Sequence, residues 1–132
     1  MILPRRAVLA LSVMMDIAQN AHNGPVSAKE LAERHGVLPR FFEVMLKDLA
    51  AAGLIKGQRG PKGGYELTRE LSRISAAQIV SAVSARDEEQ DLPLSPAARK
   101  ALQAYLREIE AAIFAKLGET NLERFVQTKD AA

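Results

Sequence analysis

The sequence contains no cysteine and no tryptophan, and aromatic residues make up only 5% of it. Without thiols the chain has no disulfide, no thiolate redox switch and no cysteine-held zinc site. No apolar run approaches the roughly 20 residues that cross a membrane, and the N-terminus lacks a cleavable signal pattern. We therefore expect a cytoplasmic protein that makes no membrane contact and needs no cofactor.

Histidine is also scarce, because the chain has only His22 and His35. The two are far apart in sequence, and neither has a cluster of acidic residues beside it, so no metal site is predicted. His35 stands near the end of a predicted helix, where a partial positive charge interacts favourably with the helix dipole. That is the role we assign to it.

Acidic and basic residues are nearly balanced, with a formal net charge of +2 over 132 residues. Residues 1–70 carry 10 Lys and Arg against 7 Asp and Glu, whereas residues 71–132 carry 8 against 9. The molecule as a whole is not a polycation, so any affinity for nucleic acid must come from a local patch in the first half. The length suits one domain with a hydrophobic core plus an added helix.

Two short helices joined by a tight turn are predicted after residue 26. Ser27 and Glu30 have the capping-box spacing that begins a helix, and Gly36 permits the positive φ that ends one. Pro39 suits the first position of the second helix. Four apolar residues then recur at helical spacing and predict its buried face: Phe42, Met45, Leu46 and Leu49.

The opposite face of this second helix carries Arg40, Glu43, Val44 and Lys47. Such side chains can reach guanine or phosphate, a cytosine amine, a thymine methyl and a phosphate, respectively. The face is therefore compatible with a recognition helix in the major groove of DNA. The alternative is an ordinary solvated amphipathic helix.

A basic, glycine-rich turn follows between two short strand-like segments, residues 54–58 and 65–68. The turn, residues 59–64, has two positive charges, three glycines and no acid. Arg59 and Lys62 are candidates for contact with the narrow minor groove, which attracts inserted cations. A phosphate loop for a nucleotide is less favoured, because the Walker pattern is absent and a strand follows the turn.

These segments together resemble the Rrf-two family of bacterial winged-helix repressors. The resemblance runs from about Leu3 to Val83 and is carried by Arg6-Ala7-Val8, Gly24-Pro25-Val26-Ser27, residues 31–36 and, above all, the wing signature of residues 59–65. It implies a homodimer that binds a near-palindromic operator, with Arg5 and Arg6 on the DNA backbone. Family members that hold an iron–sulfur cluster do so with three cysteines near residues 86–93, and this chain has none.

The last third of the chain is predicted to be helical. Ser75 and Gln78 have the capping-box spacing before a short helix, and Ser95-Pro96 begins a long helix that extends to about Leu117. Its apolar residues are spaced four and three apart, as in a coiled coil. Such a stripe could pack within its own domain, but its width favours a two-fold dimer. The predicted dimer residues are Ala98, Leu102, Tyr105, Ile109, Ala112 and Ile113.

The sequence thus predicts a mainly α protein with a small β-hairpin wing. The expected parts are a winged helix-turn-helix domain in residues 1–85, an acidic linker loop in 86–95, and a dimerisation helix with a short C-terminal helix in 96–132. We expect a transcription regulator, a repressor as the family resemblance implies, that binds a palindromic operator in double-stranded DNA as a homodimer. Its recognition helix would enter the major groove and its wing the minor groove. The candidate DNA contacts are Arg5, Arg6, Ser27, Pro39, Arg40, Glu43, Val44, Lys47, Arg59, Gly60, Pro61, Lys62, Gly63, Gly64 and Tyr65.

Two other function classes remain. A winged helix can serve as a protein-interaction module without specific DNA binding, because fold alone does not fix function. An enzyme is disfavoured, since no nucleophile, base and orienting group occur together. The sequence does not specify the operator, the regulated genes, the sign of regulation, or any effector or partner protein.

Overall fold

The computed structural model describes residues 3–84 and 93–126. Six α-helices and one two-stranded antiparallel sheet are present in these ranges. Their bounds in chain order are α1 (Arg5–Gln19), α2 (Ala28–His35), α3 (Pro39–Ala51), β1 (Ile55–Gln58), β2 (Gly64–Leu67), α4 (Ala76–Ser84), α5 (Pro96–Gly118) and α6 (Glu123–Val126). The predicted class, mainly helical with a β-hairpin wing, is confirmed.

The two helices of the helix-turn-helix begin and end where the sequence signals predicted. Ser27 Oγ accepts a hydrogen bond from the backbone N–H of Glu30 at 3.1 Å, and Gly36 ends α2 with a φ of 63°. Pro39 occupies the first turn of α3, where its missing N–H costs nothing. The predicted apolar face of α3 is buried. The N-terminal helix α1 ends at Gln19, and a 3₁₀ turn follows at Ala21–Asn23.

The hydrophobic core lies among α1, α2, α3 and α4, with contributions from the hairpin and α6. In α1, small and large apolar side chains such as Ala10, Val13 and Met14 are fully buried. Phe42 from α3 and Leu122, just before α6, are also fully buried. Because helix and hairpin residues share one core, the wing is held firmly against the helical body.

One buried acid, Asp16 of α1, links α1 to the end of α2. Its carboxylate lies 2.8 Å from Arg34 Nη2 and accepts hydrogen bonds from Arg34 Nε and His35 Nε2, each at 3.0 Å. Asn20 Nδ2 donates to the same carboxylate at 3.1 Å, and Ser12 Oγ lies 3.3 Å from His35 Nδ1. The assignment of His35 to an interaction with the helix dipole alone is therefore incomplete, because its ring also forms a hydrogen bond with Asp16 of α1.

The C-terminal part is tied to the domain by backbone hydrogen bonds. The N–H of Ala76 donates to the carbonyl of Thr120 at 2.7 Å, and the N–H of Leu122 donates to the carbonyl of Ile74 at 2.8 Å. Ser95 caps α5 through a 3.2 Å bond to the N–H of Ala98. The predicted start of the long helix is thus confirmed. Most of the predicted acidic linker, residues 86–92, lies outside the described residues.

Candidate nucleic-acid interface

The outer face of α3 is exposed, as the sequence predicted. Arg40, Glu43, Val44 and Lys47 all project from it, while the face of Phe42 is buried. Within the described residues, neither Arg40 nor Lys47 forms an ion pair, so both cations are available to a ligand. The N-terminal turns of α3 can therefore present hydrogen-bond donors, one acceptor and an apolar group to a flat or grooved partner.

The wing tip is a tight turn that carries two exposed cations. The N–H of Gly63 donates to the carbonyl of Gly60 at 2.9 Å, which closes the turn around Pro61 and Lys62. Gly60 has a φ of 109°, a conformation that L side chains rarely adopt. Arg59 and Lys62 are exposed, and no carboxylate among the described residues pairs with either. The tip is therefore shaped and charged to approach a polyanion.

The strands below the tip are held by cross-strand pairs. Lys56 and Glu66 lie opposite each other with Nζ and Oε1 3.4 Å apart, and Gln58 also donates a hydrogen bond to Glu66. The only described acid on the hairpin strands is thus engaged by two side chains of β1. Glu66 therefore does not neutralise the positive charge of Arg59 and Lys62 at the wing tip, because it pairs with Lys56 and Gln58 instead.

Gly63, Gly64 and Tyr65 have a clear packing role. Tyr65 and Val26 exchange backbone hydrogen bonds of 2.8 and 2.9 Å, which join β2 to the chain just before α2. A Cβ atom on Gly64 would lie 2.5 Å from the Val26 carbonyl, and one on Gly63 would lie 2.2 Å from the Gln58 carbonyl oxygen. Residues 63 and 64 must therefore be glycine for the wing to close. The assignment of Gly63, Gly64 and Tyr65 as DNA contacts stays a prediction.

The start of α1 reaches the same surface as α3. Arg5 and Arg6 line a cavity of about 240 Å³ together with Phe41 and Val44 of α3. Arg5 is exposed, whereas Arg6 is half-buried. The structure therefore brings the two predicted α1 arginines beside the predicted recognition helix, although they are more than 30 residues away in sequence. Ser27 is half-buried and serves as the α2 cap, and Pro39 is exposed at the start of α3.

Two residues of this surface were missed from the sequence. Leu38 is 67% exposed and Phe41 is 62% exposed, and both stand at the start of α3 among the predicted contacts. The available signal was the pair Phe41-Phe42, because adjacent helical residues point about 100° apart and cannot share one buried face. Only Phe42 is buried.

The predicted dimer residues lie along α5, away from the helix-turn-helix. No residue of α5 is buried, although the helix carries many large apolar side chains. Leu102, Tyr105 and Ile109 are exposed, as is Ala112, while Ala98 and Ile113 are half-exposed. Ile113 faces a cavity of about 430 Å³ that is also lined by residues of α4 and by the segment before α1. One edge of α5 therefore packs against its own domain, and the described residues of the chain do not cover the rest of the helix.

Comparisons with known proteins give a consistent result. The family model described as "Rrf2: Iron-dependent Transcriptional regulator" matches residues 3–128. The HTH-type transcriptional regulator IscR of Xenorhabdus nematophila is 31% identical over 128 residues, which cover 92% of this chain and 76% of that protein. The HTH-type transcriptional regulator ORF2 of Azotobacter vinelandii is 37% identical over 75 residues, or 57% of this chain. Its matched stretch is 46% of its own length, so the chain spans only about half of several curated relatives.

The fold agrees with a solved relative as well. The structure of T. potens IscR superposes with a TM-score of 0.74 at 28% identity, over 100% of this chain and 89% of that one. Within the described residues no helix is long and apolar enough to cross a membrane. Sequence and fold therefore agree over nearly the whole chain, and this protein belongs to the Rrf2 family of transcriptional regulators.

Proposed function

We propose that this protein is a transcription regulator of the bacterial cytoplasm that binds a palindromic operator as a homodimer and represses the adjacent gene. The observations that carry the proposal are the exposed outer face of α3, which lies beside the start of α1, and the exposed cations of the wing tip. Arg40, Lys47, Arg59 and Lys62 are all exposed there. Family membership supplies the expectation that the ligand of this surface is DNA.

In this proposal the recognition helix α3 enters the major groove. Arg40 and Glu43 are placed to bond base edges, while Lys47 meets a phosphate. The wing tip then lies over the neighbouring minor groove, where Arg59 enters the narrow, electronegative channel. Arg5, at the start of α1, adds a phosphate contact that fixes the docking orientation.

The uncovered face of α5 supports the dimer. Tyr105 is 59% exposed and Leu106 is 52% exposed, and Leu102 and Ile109 extend the same apolar surface. A soluble protein rarely leaves such a large apolar stripe in water, and a second copy of the helix would cover it. Two-fold symmetry would then set the two recognition helices about one DNA turn apart, roughly 34 Å.

The description of the family as iron-dependent does not extend to these residues. The 132 residues contain no cysteine, so the thiolates that hold iron–sulfur clusters are lacking. Among the described residues, no group of three or more histidine, aspartate or glutamate side chains could hold a metal ion. The residues present therefore do not fit an iron–sulfur cluster, and the proposed mechanism includes no step that involves iron.

Selection from a random double-stranded DNA library tests the proposal. We expect the wild-type protein to enrich a palindrome and to bind it far more tightly than scrambled DNA in fluorescence anisotropy. If the dimer neutralises about eight phosphates, log affinity should fall with log salt concentration at a slope near −7. Equal affinity for the selected and the scrambled DNA would refute the proposal and favour a protein-interaction module.

Two variants separate the roles of wing and helix. Arg59→Ala should weaken binding to all sequences and reduce the salt slope, because it removes a groove or phosphate contact. Arg40→Ala should change the preferred bases in a repeated selection. If both variants leave affinity and preference unchanged, the assignment of this surface as the DNA interface is wrong.

Sedimentation velocity tests the dimer. Ile109→Glu places a charge on the uncovered apolar face of α5 and should give a monomer, whereas the wild type should sediment as a dimer. Lys100→Glu is the control, because it adds a glutamate to an exposed position of the same helix away from the stripe. Sedimentation of Ile109→Glu as an unchanged dimer would show that another surface forms the interface.

A further inference from the structure

We propose that Phe41, flanked by Leu38 and Val44, forms an apolar reading surface for thymine methyl groups in the major groove. The inference rests on the proposed function, since it requires α3 to enter the groove. Val44 alone was assigned to a thymine methyl from the sequence, and the structure adds two larger side chains. Phe41 thereby becomes the main determinant of a preference for thymine-containing half-sites.

The three side chains form one patch at the leading end of α3. They recur every three residues, and the backbone N–H of Phe41 donates to the carbonyl of Leu38 at 3.0 Å, which fixes the first turn. Leu38 and Phe41 are each more than half exposed, and Val44 is exposed one turn further along. The patch therefore occupies the part of a recognition helix that reaches deepest into the major groove.

The core of the chain does not cover this patch. Phe42 already fills the buried face of α3, and Phe41 lies about 100° around the helix from it. Phe41 lines the cavity of about 240 Å³ together with the apolar residues Leu9, Val37 and Met45. Most of the Phe41 side chain is left exposed, at 62%, and is therefore accessible to a partner.

The charge around the patch favours nucleic acid as its partner. Arg5 lines the same cavity, and Arg40 and Lys47 are exposed on α3. Glu43 is the exposed acid of this helix, whereas its other acid, Asp48, is half-buried. A partner that matches both the apolar patch and the cations around it must carry apolar groups at its centre and negative charge on either side of them. Duplex DNA has this arrangement, because phosphates flank the major groove and thymine alone among the four bases presents a methyl group there.

Replacement of thymine by uracil in the selected operator tests the inference directly, since it removes the methyl group and preserves base pairing. We expect wild-type affinity to fall about fourfold for each contacted methyl, which is the effect of burying one such group. Phe41→Ala should bind the thymine operator about tenfold more weakly than wild type. It should also lose most of the difference between thymine and uracil DNA.

Two further variants make the result specific. Phe41→Leu keeps an apolar side chain and should retain most of the thymine preference. Lys47→Ala should weaken binding to thymine and uracil DNA by the same factor, because it removes a phosphate contact only. The thermal midpoint of Phe41→Ala should stay close to that of wild type, since the ring is largely exposed and adds little to the core.

The outcomes distinguish this inference from the proposed function. If wild type binds a palindrome specifically but every uracil substitution is silent, or the operator has no thymine where α3 docks, the methyl-reading role is refuted and DNA binding stands. An equal uracil effect in wild type and Phe41→Ala also refutes it, because another residue then reads the methyl. If no DNA is bound specifically, the proposed function fails and the inference fails with it.

Discussion

The buried carboxylate of Asp16 provides the sharpest test of how the helix-turn-helix is held in place. Asp16 is only 9% exposed, and its carboxylate accepts hydrogen bonds from Arg34, His35 and Asn20. A buried charge is tolerated only when it is paired and hydrogen-bonded, and removal of its charge leaves the donors unsatisfied. Asp16→Asn keeps the size of the side chain but replaces one acceptor oxygen with a donor NH₂ group.

The size of the expected destabilisation follows from the hydrogen-bond partners of Asp16. A hydrogen bond to a charged group contributes about 1.5–3 kcal/mol, but Arg34 is 44% exposed and its share must be discounted for solvent screening. His35, at 14% exposed, is better shielded. We therefore expect Asp16→Asn to lower the free energy of unfolding by about 2–3 kcal/mol, most of it through the contacts to His35 and Asn20.

Urea unfolding followed by far-ultraviolet circular dichroism measures this change, because the chain has no tryptophan for fluorescence. Samples must share one protein concentration, since dimerisation adds to apparent stability. Glu33→Gln is the matched control, a carboxylate-to-amide change at an exposed position of α2. If Asp16→Asn and Glu33→Gln differ by less than about 0.5 kcal/mol, the carboxylate does not hold α1 to α2 and the reasoning is wrong.

Two further predictions concern the wing and the start of α4, and the same urea titration measures both. Gly64→Ala should destabilise the fold by about 2 kcal/mol or more, because its Cβ would overlap the Val26 carbonyl, whereas Gly118→Ala, with open space around it in α5, should be neutral or slightly stabilising. Equal effects of the two changes would contradict the proposed wing packing. Ser75→Ala should cost about 1 kcal/mol, since Ser75 Oγ accepts from the N–H of Gln78. An unchanged unfolding midpoint would show that this cap contributes nothing.

Local signals predicted most of the fold. Caps such as Ser27 and Ser75, the proline at the start of α3 and the glycines of the wing act within a few residues, so the sequence displays them directly. The buried face of α3 followed from spacing alone. The family resemblance then supplied the role of these elements, which local signals cannot give.

Features that depend on distant contacts were missed or only partly predicted. Asp16 is 18 residues from Arg34, and no periodic pattern marks a lone acid in an apolar helix as the partner of a later helix. The packing role of Gly64 and Tyr65 was hidden for the same reason, because it depends on Val26 almost 40 residues earlier. The exposure of Phe41 was not predicted, although its neighbour Phe42 already occupies the buried face of α3.

These distant contacts also link α5, the proposed dimer helix, to α3, the proposed recognition helix. The helix α5 packs on α4, and α4 packs on α1. Asp16 then fixes α1 to the end of α2, while the bridge between Val26 and Tyr65 fixes the wing to its beginning. Since α2 is held at both ends and packs on α3, the recognition helix has little freedom relative to α1. A dimer formed through α5 would therefore fix the spacing of the two proposed recognition helices. Asp16→Asn should accordingly weaken binding to the operator more than binding to scrambled DNA.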